Sequence, residues 1–70
     1  MTDSDKTITT ASIDNYASTY KVLGDMYSKC GLHRLAAKNY REAAFRYREA
    51  GNLEEGQNCS CAWLLSEIAA

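Results

Sequence analysis

The sequence predicts an all-α, three-helix domain, an antiparallel αα-hairpin with a third helix behind it. Three observations carry this expectation. The chain has no proline, is rich in Ala and Glu, and holds few β-branched residues after Val22, a composition that favours helix. Its apolar and small residues recur at steps of three and four, the spacing that builds one stripe along a helix. Gly31 and Gly51 stand where two such stripes stop, as glycines that end helices do. Seventy residues make one domain at most, with a modest core.

Residues 1–11 are rich in Thr, Ser and Asp and are expected to be a flexible N-terminal tail, leaving 12–70 as the three-helix domain. Ser12 is the expected N-cap of helix 1, with Asp14 in the first turn, where the helix dipole favours negative charge. Helix 1 is then expected over about 13–30. Its stripe is Ile13, Tyr16, Ala17, Tyr20, Leu23, Gly24, Tyr27 and Cys30. Lys29 falls in the last turn and Gly31 follows as the left-handed residue. Helix 2 is expected over about 33–50, with an inner stripe of Ala36, Tyr40, Ala43, Tyr47 and Ala50 flanked by Ala37 and Ala44. Small Ala residues between bulky Tyr residues let two helix backbones approach closely. Helix 3 is expected over about 53–69. Asn52 is its cap, and Glu55 is placed to reach back as in a capping box. Its first half is polar; its second half is apolar almost all round, through Cys59, Cys61, Ala62, Trp63, Leu64, Leu65 and Ile68.

The stretch Tyr20-x-x-Leu23-Gly24-x-x-Tyr27, followed by Ala36-x-x-x-Tyr40 and Ala43, resembles the tetratricopeptide repeat. That family's pattern is aromatic-x-x-Leu-Gly-x-x-Tyr, then Ala-x-x-x-Phe, then Pro. The resemblance covers residues 20 to about 52. Arg48 stands where the family closes with Pro, and only one repeat is present. One repeat length on, Glu54, Gln57 and Asn58 replace the signature residues, so helix 3 resembles instead the capping helix at the end of such arrays. The resemblance implies a non-catalytic module that binds other proteins: a small adaptor, chaperone-like factor or inhibitor. In the family the first helix of each repeat lines the binding groove. Carried over, the groove residues are those facing away from helix 2, namely Ser18, Lys21, Asp25 and Ser28. Lys21 resembles a groove lysine that holds a peptide carboxylate in some members; Asp25 stands where an Asn is often found beside it.

Other chemistry is poorly represented. Cys30-x-x-His33 has ligand-like spacing, and with Cys59 and Cys61 it would give four zinc ligands. Cys59 and Cys61, however, lie two apart on an expected helix and point to different sides. Free cysteines are more often small buried apolar residues, so neither metal nor cofactor is expected. His33 is the only histidine. Nothing orients it as a base for Cys30, no Gly-rich phosphate loop is present, and no enzyme is expected. Helix 2 carries a basic face of Arg34, Lys38, Arg41 and Arg48, with Arg46 nearby and Phe45 within the stripe. It reads first as a solvated face, partly neutralised by Glu42 and Glu49. The alternative function is a small nucleic-acid-binding or regulatory protein using that face. A net charge of −1 is unlike the basic footprint of a nucleic-acid binder.

The expected partner is a protein. Consecutive Trp63, Leu64 and Leu65 point about 100° apart on a helix, so a single hairpin cannot cover them all. Cys61, Trp63, Leu64, Leu65 and Ile68 are therefore the expected dimer or partner interface. A two-fold homodimer is the first expectation and a heterodimer with a larger protein the second. No apolar run approaches the roughly 20 residues of a membrane span, and the polar N-terminus lacks the apolar region of a signal peptide. The expected compartment is the cytoplasm, where the three cysteines stay reduced.

Overall fold

In a computed structural model, which describes the backbone of residues 2–70 and the side chains of residues 16–70, the protein is all-α. The helices are α1 (Thr2–Lys29), α2 (His33–Glu49) and α3 (Leu53–Ala69). The bounds of α2 and α3 lie close to the expected 33–50 and 53–69. α1 begins at Thr2 and passes through Ser12, the residue expected to cap it. The side chains of the tail expected over 1–11, and those of Ser12, Ile13 and Asp14, lie outside the described residues.

Each joint is a short glycine turn. Gly31 and Gly51 have φ of 78° and 83°, the left-handed region that a Cβ disfavours. The Leu32 and Asn52 amides close the turns by donating to the Tyr27 and Tyr47 carbonyls, each at 2.8 Å. Asn52 caps α3: its Oδ1 accepts from the Glu55 amide at 3.3 Å. The reciprocal half of the capping box is absent, because the Glu55 carboxylate is drawn to Asn58 and Lys21 instead. Leu32 stands at the N-cap of α2 and provides no side-chain cap.

α2 is the central helix, with α1 and α3 packed along it. Cross-helix neighbours run in opposite order. Tyr40 lies against Gly24, and Arg46 lies over the rings of Tyr20 and Tyr16 at 5.2 and 5.9 Å. On the other side Arg48 meets Gly56 and Arg41 meets Trp63. Adjacent helices are therefore antiparallel.

The core is built from small residues wedged between aromatic rings. Ala17, Ala43, Ala44, Tyr47 and Cys59 form the buried cluster, with Tyr20 packed against it. Ala36, Ala37 and Tyr40 extend it towards the Gly31 turn. The α2 stripe is buried as its periodicity predicts, apart from the half-buried Ala50. Of the described residues of the α1 stripe, Ala17 and Gly24 are buried and Tyr20, Leu23 and Tyr27 half-buried. Tyr16 and Cys30, expected inside, are exposed, because they sit at the two margins of the α1–α2 contact. Tyr16 lies opposite the end of α2 and Cys30 in the turn that leads into it.

Close approach depends on two glycines. A Cβ on Gly24 would stand 2.8 Å from Cδ1 and Cε1 of Tyr40, so α1 can cross α2 there only without a side chain. Gly56 is the corresponding residue of α3; its Cβ would stand 3.0 Å from Cγ of Arg48 and 3.4 Å from the Ala44 carbonyl oxygen. Nothing in the sequence around Gly56 points to this role, because its neighbours Glu54, Glu55, Gln57 and Asn58 are all polar.

Candidate functional site

Three surfaces bring together the residues that the sequence singles out. The first lies where α1 and α3 flank α2. Here Lys21 Nζ and Glu55 Oε2 form an ion pair at 3.2 Å, linking α1 to α3. The hydrogen bond that Lys21 donates to Glu55 raises the Lys21 pKa. The Asn58 amide, and then Lys21, hold Glu55 below the usual carboxylate range. Asp25 accepts a hydrogen bond from the Tyr40 hydroxyl. Of the four expected groove residues, Ser18 and Asp25 are exposed and Lys21 and Ser28 half-buried. The expectation that all four face away from α2 fails at Asp25, whose carboxylate is bound by an α2 tyrosine. Lys21 in turn is engaged by α3. A shallow recess beyond them is lined by Ser28, His33, Ala62, Leu65 and Ser66.

Burial, and next the bond to Asp25, push the Tyr40 pKa up to about 12 from 10.0. The folded state therefore holds this proton more tightly than the unfolded chain. Its stabilising contribution is complete below pH 10, falls as pH rises from 10 to about 12, and is lost above that. Urea titrations across this range should show wild-type stability dropping more steeply than that of Tyr40→Phe. Parallel curves for the two proteins would mean that Tyr40 does not titrate in this way.

The second surface is the outer side of α3. Cys61, Leu64, Leu65 and Ile68 are all exposed. Trp63, expected as the largest exposed group, is half-buried instead. It turns towards α2, where the Arg41 guanidinium lies 5.8 Å from its ring centroid, and its Nε1 donates to Glu67 at 3.3 Å.

The third surface is the groove between α2 and α3 on the side away from α1. Arg41, Phe45 and Arg48 line it from α2, and Ser60 and Trp63 from α3. Arg34 and Lys38 continue it towards the C-terminus, opposite Glu67 and Ala70. All four cations of the expected basic face are exposed. Among the described residues, the ion pairs are Lys21–Glu55 and Arg46–Glu42, so none of those four is paired. Glu42 is turned to Arg46, with Oε2 3.4 Å from Nε, a contact too poorly aligned to be a hydrogen bond. The sequence places these cations on one face, but the Arg41–Trp63 stack has no signal in either segment.

The cysteines separate. Cys59 is in the core, where burial pushes its thiol pKa up, whereas Cys30 and Cys61 are exposed. Among the described residues no group of three or more His, Cys, Asp or Glu is placed to hold a metal ion. Also among them, no helix is long and apolar enough to cross a membrane. The chain matches no protein-family model, and no curated protein or solved structure is significantly similar to it.

Proposed function

We propose that the protein is a tetratricopeptide-like interaction module that works by binding protein partners, the first of them a second copy of itself through α3. The observation that carries this reading is the outer side of α3, where Leu64, Leu65 and Ile68 are 55, 67 and 80 % exposed. Clustered apolar side chains on one helix of a water-soluble fold mark an interaction surface. The small core supports the same reading, because a domain of this size gains stability by burying such a face in a partner. The motif Leu23-Gly24-x-x-Tyr27 and the close packing of Gly24 on Tyr40 support the tetratricopeptide likeness. In repeats of that kind a single unit leaves a face that normally meets its neighbour. A two-fold pairing of α3 with its copy would cover that face on both chains. We further read the module as non-catalytic, cytoplasmic, and an adaptor, chaperone-like factor or inhibitor in its role.

Analytical sedimentation tests the pairing. At tens of micromolar the wild type should sediment as a dimer, and the triple variant Leu64→Ser, Leu65→Ser, Ile68→Ser as a helical monomer. These side chains are exposed, so their replacement should leave the fold intact. A wild type that sediments as a monomer removes the homodimer.

A further inference from the structure

Beyond self-association, and resting on the reading of the chain as a protein-binding module, we propose that the α2/α3 groove binds an acidic peptide segment of a partner protein. Arg34, Lys38, Arg41 and Arg48 would pair with its carboxylates.

Charge complementarity identifies the occupant. The four cations are exposed and unpaired among the described residues, and they run along α2 for about 21 Å at 1.5 Å per residue. The chain as a whole carries a net charge of −1, so this is a local concentration of positive charge on a nearly neutral molecule. The groove floor is apolar as well as basic: Ala44, Phe45 and Trp63 line it together with Arg41 and Arg48, and Phe45 is 59 % exposed. A segment that carries carboxylates interspersed with apolar side chains matches both properties.

Arg41 is the centre of the site. Its guanidinium lies over the Trp63 ring, 5.8 Å from the centroid, and Trp63 is itself tethered by the Nε1 bond to Glu67. This cation–π contact restrains the guanidinium, whose planar fork can donate two parallel hydrogen bonds to one carboxylate. Less side-chain freedom is then lost on binding.

The same details favour a peptide over a nucleic-acid strand. Base stacking needs open aromatic faces; Arg41 already lies over the Trp63 ring, which leaves Phe45 as the one exposed ring of the groove lining. Glu67, across the groove from Arg34 and Lys38, would repel a continuous run of phosphates. A peptide can place an apolar or amide residue opposite Glu67; a phosphodiester backbone cannot omit its charge.

Trp63 is the only tryptophan in the chain, so its fluorescence reports directly on the groove. A displayed library of random peptides of about 16 residues, long enough as a helix to span the four cations, is selected against the full-length protein. Selected peptides should be enriched in Asp and Glu over the starting library and should change Trp63 emission on binding. Arg41→Gln/Arg48→Gln should weaken them by about tenfold or more, the loss expected when charge-assisted hydrogen bonds are removed. Arg34→Gln/Lys38→Gln, which alters only exposed side chains at the other end of the groove, should weaken them in the same direction and stands in if the first variant fails to fold.

Failure to select any peptide, selection without acidic enrichment, or undiminished binding by folded variants would each overturn the proposal. So would tighter binding of a random single-stranded oligonucleotide, which would assign the groove to nucleic acid. The Leu64→Ser, Leu65→Ser, Ile68→Ser variant keeps the two ideas separate. Loss of its self-association with peptide binding retained supports both; a wild-type monomer that still binds acidic peptides removes only the homodimer. A wild-type dimer that selects no acidic peptide removes only the groove.

Discussion

Gly24→Leu is expected to destabilise the protein by about 3 kcal/mol, at the upper end of the range for overpacking a tight contact. Even the first added atom is refused, because a Cβ at this position would stand 2.8 Å from two ring carbons of Tyr40. The ring has little room to retreat: Tyr40 is 6 % exposed and its hydroxyl is bound to Asp25. α1 would have to lift away from α2, opening the contacts around Ala17 and Ala43. Gly24→Ala should show a smaller loss, since alanine recovers up to about 1 kcal/mol of helix propensity. Gly56→Ala is the informative control. The nearest atom to its Cβ is Cγ of Arg48 at 3.0 Å, part of a long exposed side chain that can move, so propensity and crowding should nearly cancel. Urea denaturation of the three variants tests the ordering. A Gly24→Leu protein as stable as wild type would mean that the helices do not cross at Gly24.

The features legible in the sequence are those set within one helix or one turn. Gly31 and Gly51 marked the turns because the left-handed conformation they adopt excludes most other residues. The α2 stripe of Ala36, Tyr40, Ala43 and Tyr47 was legible because helical periodicity alone decides which residues share a face. Asn52 was legible as a cap because its partner, the Glu55 amide, lies in the adjacent turn. What periodicity leaves open is which residue of a neighbouring helix stands opposite. The Tyr40–Asp25 bond, the Lys21–Glu55 pair and the Arg41–Trp63 stack all depend on that register. Asp25 is expected in the open groove by the family resemblance and Trp63 in an exposed patch, and neither expectation carries the register. Gly56 lies among Glu, Gln and Asn, where nothing nearby signals a close crossing. The start of α1 is expected near Ile13 because the preceding Thr-, Ser- and Asp-rich segment reads as an untied terminus with Ser12 as cap, yet no proline or glycine precedes Gly24 to stop the helix.

Tyr47→Ala is expected to destabilise the protein by about 3–5 kcal/mol. Tyr47 is the large side chain at the centre of the buried cluster, 7 % exposed and surrounded by Ala17, Ala43, Ala44 and Cys59. Those neighbours are too small and too firmly placed on their helices to fill the space it would leave. Removing a buried aromatic ring costs about 3–5 kcal/mol when the cavity cannot collapse. A domain of this length has a total stability of only about 4–10 kcal/mol at 0.05–0.15 kcal/mol per residue, so one truncation removes much of it. The position also joins all three helices, since Ala17 lies on α1, Cys59 on α3 and Tyr47 itself on α2. The loss should therefore appear as one cooperative transition at lower urea, not as fraying of a single helix. Tyr16→Ala provides the contrast: that ring is 57 % exposed, and its removal should change stability by no more than about 0.5 kcal/mol, as surface substitutions do. If Tyr47→Ala and Tyr16→Ala unfold at the same urea concentration, the core is not centred on Tyr47.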